Sequence, residues 1–267
     1  MNKNKLKSTG ILKGTEFSLV IIIVVIFMAA SFGTQNFFTE YNLMNILKQC
    51  SIIGVISVSA TFIIITGGID LSCGAVCGMS TLIVAMGQAK WGMSVPASIG
   101  AALLVSVLCG IYNAFIIHEF KVPPFIATLG SMTILRGLIK VISNASTIAG
   151  LNKKFGEFAS ESVMKIPKLA VIWVIVVVIA FFLLRYTTFG RNLYVLGSGQ
   201  EVARLSGVSI RKVTYMTYGV AGFLCGIAGI MLAARINSSV PTAGSGYEMN
   251  AIAASVIGGA SLSGAKG

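Results

Sequence analysis

Seven apolar stretches recur along the chain, and the short segments between them carry nearly all of the charged residues. The stretches cover residues 17–32, 50–66, 71–86, 95–117, 125–142, 169–184 and 213–234. A membrane-spanning helix needs about 20 mostly apolar residues, so stretches of this length predict membrane crossings. Charged residues are only 10% of the chain, whereas an average soluble domain has about 25%. The sequence therefore predicts an all-α, polytopic integral membrane helical bundle and excludes an ordinary soluble enzyme.

The distribution of basic residues predicts an orientation in the membrane. Cytoplasmic segments of membrane proteins carry an excess of Lys and Arg. With the N-terminus inside, the cytoplasmic segments are 1–16, 118–122 and 185–212, which hold ten Lys and Arg residues against seven outside. The net charge of +12 is thus spread over membrane loops, which argues against a nucleic-acid-binding face. We expect a multi-pass protein of the inner (cytoplasmic) membrane with a cytoplasmic N-terminus, and we prefer this to a cleaved signal peptide at 29–31.

Three segments interrupt the simple pattern of crossings. Residues 37–49 have the composition of an interfacial stretch, and residues 144–168 predict an ordered loop outside the bilayer. The tail after the last apolar stretch is rich in small residues, and 249–257 predict the beginning of a broken or re-entrant helix. The pattern Gly-Gly-x-x-Leu-Ser at 67–72 recurs at 258–263. Repeated, glycine-interrupted membrane segments are one indication of a transporter binding region.

Few ionisable residues lie in or near the apolar layer, namely Asp70, Arg136, Lys140 and Glu248. The five cysteines and the single histidine lack the spacing of a metal site, and the sequence has no P-loop. We expect no catalytic residue, no metal site and no cofactor in this chain. A proton-coupled carrier would place an acidic residue inside the bundle, but Asp70 follows a Gly-Gly break. We interpret it as a cap of the next helix.

The polar segment 185–212 predicts a place where a cytoplasmic partner docks. Within it, a short helix is predicted to begin at Ser198 or Gly199 and to end near Gly207, where helix-ending signals occur. A short helix that projects from the membrane can fit a groove on a partner and transmit its motion. The alternative is an ordinary solvated loop whose arginines only set the topology.

Several long motifs closely resemble those of ribose-type permease subunits of ABC importers. They are GGIDLSCG (67–74), VPPFIATLGSMTILRGL (122–138), GRNLYVLGSGQEVARLSGVSIRKVTY (190–215) and ARINSSVPTAGSGYEMNAIAASVIGGASLSG (234–264). NFFTEYNLMNILKQ (36–49) is also similar. The resemblance runs in colinear order over nearly the whole chain after residue 35.

The resemblance implies a homodimeric permease for a monosaccharide, with a cytoplasmic ABC ATP-binding subunit and an extracytoplasmic sugar-binding protein as partners. Glu201-Val202-Ala203 followed by Gly207 is similar to the E-A-A-x-x-x-G signature that docks the ATPase, with Val in place of the first Ala. We expect the coupling role at Glu201, Ala203, Arg204 and Gly207. Ribose is the first expectation for the sugar, while xylose, galactose or a furanosyl signal molecule stays open.

We expect Asp70, Ser72, Thr128 and Glu248 to belong to the translocation pathway of an alternating-access cycle. The family's motifs continue into further spans, so we expect a single permease domain over 1–267 that stops before them, with 185–212 as its coupling loop. The alternative function is an ion-coupled secondary sugar transporter that acts without an ATPase and fails on Asp70→Asn. An integral-membrane enzyme is disfavoured because catalytic clusters are missing.

Overall fold

A computed structural model describes residues 14–34 and 36–266 of the chain. The chain divides into two compact units, Met1–Ile46 and Leu47–Gly267. Residues 1–13 of the predicted cytoplasmic segment 1–16 lie outside the described residues. The expectation of one permease domain over the whole length stays a prediction.

Eleven helices and four two-residue strands form within the described part of the chain. The helices are α1 (Gly14–Gly33), α2 (Glu40–Ile65), α3 (Cys73–Ala89), α4 (Val95–Glu119), α5 (Pro124–Ser143), α6 (Lys153–Ser160), α7 (Lys168–Tyr186), α8 (Thr188–Gly197), α9 (Gln200–Leu205), α10 (Ile210–Ile236) and α11 (Tyr247–Ile257). The strands are β1 (Ile148–Ala149), β2 (Ser162–Val163), β3 (Ile166–Pro167) and β4 (Ser238–Ser239). Among the described helices, α2, α4, α5, α7 and α10 are long and apolar enough to cross a membrane. The all-α, multi-pass prediction is confirmed, but two of the seven predicted crossings, 17–32 and 71–86, are not among these five helices.

The first unit contains α1 and the beginning of α2. Between them, the ring of Phe37 packs edge-on against that of Phe27 with centroids 5.4 Å apart, and the Asn42 side chain donates to the Phe37 carbonyl (2.8 Å). Helix α2 already begins at Glu40, so most of the predicted interfacial stretch 37–49 is helical. The helix starts there because Thr39 accepts a hydrogen bond from the backbone N–H of Asn42, as an N-terminal cap does.

In the second unit, α3 lies at the centre although it is one of the shorter helices. Fourteen of its 17 residues are buried, which fits a helix that is apolar on all sides. Helices α4 and α10 pack on α3 and on each other. Small residues at the α4–α10 contact, including Ser106, Gly110 and Gly222, let the two backbones approach closely, as in many membrane helix pairs.

One end of the bundle brings together two segments that were both predicted to be cytoplasmic. Glu119 at the end of α4 forms an ion pair with Arg211 (3.0 Å) and accepts a hydrogen bond from the Tyr215 hydroxyl (3.2 Å) near the start of α10. The 118–122 turn and the 185–212 segment therefore lie at the same end, as alternating crossings require. The 185–212 segment is not a plain loop, because most of it forms α8 and α9.

The opposite end carries the ordered segment between α5 and α7. Strand β1 pairs antiparallel with β4, with Ile148 opposite Ser239. The backbone N–H of Asn152 donates to the Gln88 side chain at the end of α3 (3.0 Å). The prediction of order in 144–168 is confirmed, and these contacts connect the segment to α3 and to the end of α10.

After β4 the chain turns back into the bundle and forms α11. This helix has 11 residues, too few to cross a bilayer, since a crossing needs about 20. The Ser255 hydroxyl donates to the Ser57 carbonyl of α2 (2.9 Å). Beyond α11, the N–H of Ala265 donates to the Ile65 carbonyl (2.9 Å). The broken helix in the tail is thus confirmed, and the chain that follows the second Gly-Gly-x-x-Leu-Ser segment reaches the end of α2.

Candidate coupling surface and translocation site

The segment 66–72 between α2 and α3 crosses the bundle interior without helical structure. It leaves α2 through a tight turn in which the N–H of Gly68 donates to the Ile63 carbonyl (3.1 Å). Thr128 of α5 then supports it, because its hydroxyl accepts from the N–H of Leu71 and lies 3.2 Å from the Ile69 carbonyl. Thr128 is fully buried. Thr128, which was predicted to belong to the translocation pathway, therefore contacts the backbone of the 66–72 segment.

Asp70 lies within that segment and is 6% exposed. Its Oδ1 atom accepts hydrogen bonds from the backbone N–H of Ser72 (2.7 Å) and from the Ser72 hydroxyl (2.6 Å). The prediction that Asp70 caps α3 is therefore wrong in position. Ser72 occupies the N-cap position, and Asp70 closes the turn before the helix, a local bond that aspartate side chains commonly make.

The polar chain that begins at Asp70 continues through two further helices. The Asn113 side chain of α4 donates to the Ser72 hydroxyl (2.8 Å), and the Ser131 hydroxyl of α5 donates to Asn113 Oδ1. Asn113 is 1% exposed, so its hydrogen bonds are made away from water, where an unpaired amide would be costly. The chain Asp70–Ser72–Asn113–Ser131 therefore connects the 66–72 segment to α4 and α5.

Sequence reasoning missed Asn113 and Ser131. Each is a polar residue inside an apolar stretch, and such residues usually hydrogen-bond across neighbouring helices. Their partners lie 41 and 18 positions away along the chain, so no local pattern shows the pairing. The polarity of Asn113 within the stretch 95–117 was the available signal.

Glu248 belongs to a second polar site and does not join the Asp70 chain. Its Oε2 atom lies 3.8 Å from Arg136 Nη2, and the two side chains are 14% and 19% exposed. The guanidinium of Arg136 also donates to the carbonyls of Ala243 (2.6 Å) and Gly244 (2.8 Å). Arg136 of α5 thus binds the turn before α11 and the first turn of α11 together.

The carboxylate of Glu248 is only partly satisfied by hydrogen bonds. Its Oε1 atom accepts from the N–H of Gly246 (3.2 Å). Its Oε2 atom is buried and accepts no hydrogen bond from the described residues, so its interaction there is with the Arg136 charge. A buried carboxylate held in this way is costly without its cation.

Helix α9 carries the residues predicted for coupling, and its ends follow the prediction. It starts after Gly199 and ends before Ser206. At its end, the N–H of Gly207 donates to the Arg204 carbonyl (3.1 Å) and that of Val208 to the Ala203 carbonyl (2.9 Å). Gly207 has a φ of +71°. This pair of bonds with a left-handed residue is a Schellman motif, in which glycine is preferred.

One side of α9 is buried and the other is exposed. Ala203 is 0% exposed where α9 packs on α8 and α10. Glu201 and Arg204 point outward and form an ion pair (2.9 Å), and the side chains of Val202 and Leu205 are also exposed. The helix therefore presents a mixed apolar and charged face, which suits a protein contact better than a purely solvated loop does.

Helix α8 connects α9 to the end of α2. Gly197, the last residue of α8, lies so close to the Ile65 carbonyl and the Ala265 N–H that a Cβ at this position would overlap both. The coupling residues predicted in 185–212 are therefore in contact, through α8, with the helix end from which the Asp70 segment departs. Helix α9 and the 66–72 segment are thus connected by the backbone contact between α8 and the end of α2.

The chain matches the family described as "Branched-chain amino acid transport system / permease component" over residues 42–266. It is 39% identical to the ribose import permease of Bacillus subtilis, over 95% of this chain and 78% of that protein. The identity is 38% to the ribose import permease of Escherichia coli, over 94% of this chain and 78% of that protein. It is 34% to the D-allose transport system permease of the same organism, over 95% and 77%.

A comparison with solved structures finds no match to this chain. The relatives are transport permeases and not enzymes. They are matched over most of both chains, and the family model covers the 66–72 segment, the helices α8 and α9, and the tail with α11. The chain therefore belongs to the family of ribose-type permease subunits of ABC importers.

Proposed function

We propose that two copies of this chain form the membrane pore of an ATP-driven importer for ribose or a similar monosaccharide. Membership in the family implies an ATP-binding subunit and a substrate-binding protein. The relatives named above are permeases for ribose and D-allose, which supports a simple sugar as substrate. ATP hydrolysis takes place in the separate cytoplasmic subunit, and the binding protein delivers the sugar from outside.

The observation that carries this proposal is the geometry of α9. The helix is held firmly, because Ala203 is buried beneath it and Gly207 closes its end with two backbone hydrogen bonds. It nevertheless exposes Glu201 and Arg204. A rigid element with an exposed charged face can follow the movement of a partner without bending, and we assign ATPase docking to this face.

Movement of α9 reaches the bundle interior through a continuous set of contacts. Helix α9 packs on α8, and α8 meets the end of α2 at Gly197 and Ile65. The 66–72 segment starts at that helix end, and Asp70 and Ser72 within it are hydrogen-bonded towards α4 and α5. A rigid-body shift of α9 therefore displaces the segment relative to those helices, as alternating access requires.

We assign the translocation pathway to the two polar sites, with Asp70, Ser72 and Thr128 in one and Glu248 in the other. A sugar carries many hydroxyl groups, which lose their hydrogen bonds to water inside the bundle. Carboxylate, hydroxyl and amide groups of the protein can replace those hydrogen bonds. The bundle offers few other ionisable groups at this depth, and charged residues inside membrane proteins commonly mark substrate pathways.

The orientation follows from the two ends of the bundle. We assign the end with Glu119, α8 and α9 to the cytoplasm and the β1–β4 end to the outside, so that the ATPase and the binding protein act from opposite sides. With this assignment we propose that the protein lies in the inner membrane with its N-terminus inside. In this arrangement 185–212 is the coupling loop of a single permease domain.

Co-purification with the candidate ATPase tests the proposal. Glu201→Lys reverses an exposed charge in the docking face, and Gly207→Pro removes the positive φ because proline fixes φ near about −65°. Glu157→Lys is the matched control, since Glu157 is exposed at the opposite end and pairs with Lys153. We expect the wild type and the control to retain the ATPase and both α9 variants to lose it. If both α9 variants retain the ATPase, the assignment of docking to this face is overturned.

A further inference from the structure

A groove of about 740 Å³ lies at the corner between α7 and α8 and has no role in the coupling scheme above. Its walls come from α2, α7, α8 and the residue that follows α11. We propose that this groove binds an anionic phospholipid, with the phosphate between Arg185 and Arg191 and an acyl chain along the apolar floor.

The corner that presents the two arginines is rigid. Arg185 lies in the last turn of α7 and Arg191 in the first turn of α8. Between them, the Thr187 hydroxyl donates to the Leu183 carbonyl (2.6 Å) and accepts from the N–H of Gly190 (3.2 Å). These bonds fix the angle between the helices, so both arginines stay at the mouth of one groove.

The charge at the mouth is positive and uncompensated within the described residues. Neither Arg185 nor Arg191 forms an ion pair with a described acidic side chain. The described residues that line the groove include no aspartate or glutamate. Guanidinium groups match phosphate geometry by donating paired hydrogen bonds, and basic pockets between membrane helices favour anionic headgroups.

An aromatic cluster indicates the depth of this corner in the membrane. The rings of Phe181, Phe182 and Tyr186 contact one another with centroids 5.5 to 6.2 Å apart, and Tyr186 is exposed. Amphipathic aromatic residues gather at the level of the lipid headgroups. The arginines therefore lie where a lipid phosphate lies.

The floor of the groove selects a lipid over a free anion. It is formed by apolar side chains of α2 and α7, among them Val58, Val177, Ala180 and Leu184. An acyl chain can cover this surface, which a soluble phosphate leaves exposed. Because α8 forms part of the groove, a lipid bound there also contacts α8, the helix on which α9 packs.

Lipid binding to the full chain can be measured by native mass spectrometry in detergent with added phosphatidylglycerol or phosphatidylcholine. Arg185→Gln with Arg191→Gln removes the two mouth charges. Lys121→Gln with Lys212→Gln is the matched control, because it removes two charges at the same end that do not line the groove. Val177→Trp fills the floor and leaves both arginines in place.

We expect the wild type and the lysine control to retain phosphatidylglycerol over phosphatidylcholine. The double arginine variant should lose this preference by on the order of 25-fold, since each basic residue contributes about 1 kcal/mol and tenfold corresponds to about 1.4 kcal/mol. Val177→Trp should lose bound phosphatidylglycerol although its charge is unchanged. Equal retention of both lipids by the wild type, or an equal loss in the lysine control, overturns the proposal, as does occupation of the groove by another protein segment.

Discussion

Gly197 at the end of α8 faces the carbonyl oxygen of Ile65 at the end of α2 without any side chain between the two backbones. The same carbonyl accepts a hydrogen bond from the N–H of Ala265 (2.9 Å). Three segments that are far apart in sequence thus meet at one atom. Because no side chain separates them, a displacement of α8 acts directly on the helix from which the Asp70 segment departs.

Gly197→Ala should uncouple ATP hydrolysis from sugar uptake. The added methyl group overlaps backbone atoms, which cannot move as a flexible side chain does, and overpacking of this kind costs about 1–3 kcal/mol. We expect the variant to bind the ATPase while ATP-driven uptake in proteoliposomes falls strongly. Gly100→Ala in α4 is the control, because a Cβ there meets no atom within 4 Å. Uptake by Gly197→Ala at the wild-type rate would show that this contact does not transmit movement.

Substitutions at Gly207 should separate backbone conformation from side-chain chemistry. At a φ of +71°, asparagine is tolerated whereas a β-branched residue is strongly disfavoured. We expect Gly207→Asn to retain the ATPase in pull-down measurements and Gly207→Val to lose it. If both variants lose it equally, the partner contacts the glycine surface itself and the positive φ is not what matters.

The sequence was sufficient to predict the five helices that are long enough to cross a membrane and the limits of α9, because both depend on local signals. Apolar length defines a span, and a glycine at each side bounds the short helix. The pairing of Arg136 with Glu248 depends instead on how the tail re-enters the bundle, 112 positions later. Intramembrane charge marked both residues, but which partner each one has is set by tertiary packing.

The same distinction explains the error at Asp70. A Gly-Gly break followed by an acidic residue is a reasonable capping signal, yet Ser72 occupies the capping position. The side chain of Asp70 instead accepts from Ser72 in the turn before the helix, and Ser72 is also hydrogen-bonded to Asn113. Only the packed position of α4 supplies Asn113, so the sequence order around Asp70 could not reveal it.

Arg136→Gln should destabilise the protein more than Glu248→Gln. The arginine interacts with the carboxylate and donates to two backbone carbonyls, whereas the glutamate accepts one backbone hydrogen bond. Breaking a buried ion pair costs about 3 kcal/mol or more. Thermal unfolding in detergent should show the larger loss for Arg136→Gln. Arg136→Lys should restore stability only partly, because an ammonium group cannot reproduce the fork geometry.

The double variant completes this measurement. In the variant that lacks both charges, no carboxylate is left buried without its cation. The loss of stability in Arg136→Gln with Glu248→Gln should therefore be smaller than the sum of the losses in the two single variants. Additive losses would show that the two charges do not interact across the 3.8 Å that separates them.

Asp70→Asn distinguishes structural from ion-coupled roles of the buried carboxylate. Asparagine keeps the shape and one acceptor oxygen, so it can still receive the N–H and the hydroxyl of Ser72, with a loss of about 1–2 kcal/mol because these bonds are no longer charge-assisted. We expect ATP-driven sugar uptake to persist in Asp70→Asn and to fail in Asp70→Ala, which leaves Ser72 without its acceptor.

Uptake should be measured in proteoliposomes with the ATPase and the binding protein, with and without a proton or sodium gradient. If Asp70→Asn abolishes uptake and the wild type responds to a gradient without ATP, the carboxylate couples an ion and the assignment of the driving force to the ATPase is wrong. If uptake depends on ATP alone and asparagine supports it, the aspartate holds the 66–72 segment in place for the movement that α8 delivers.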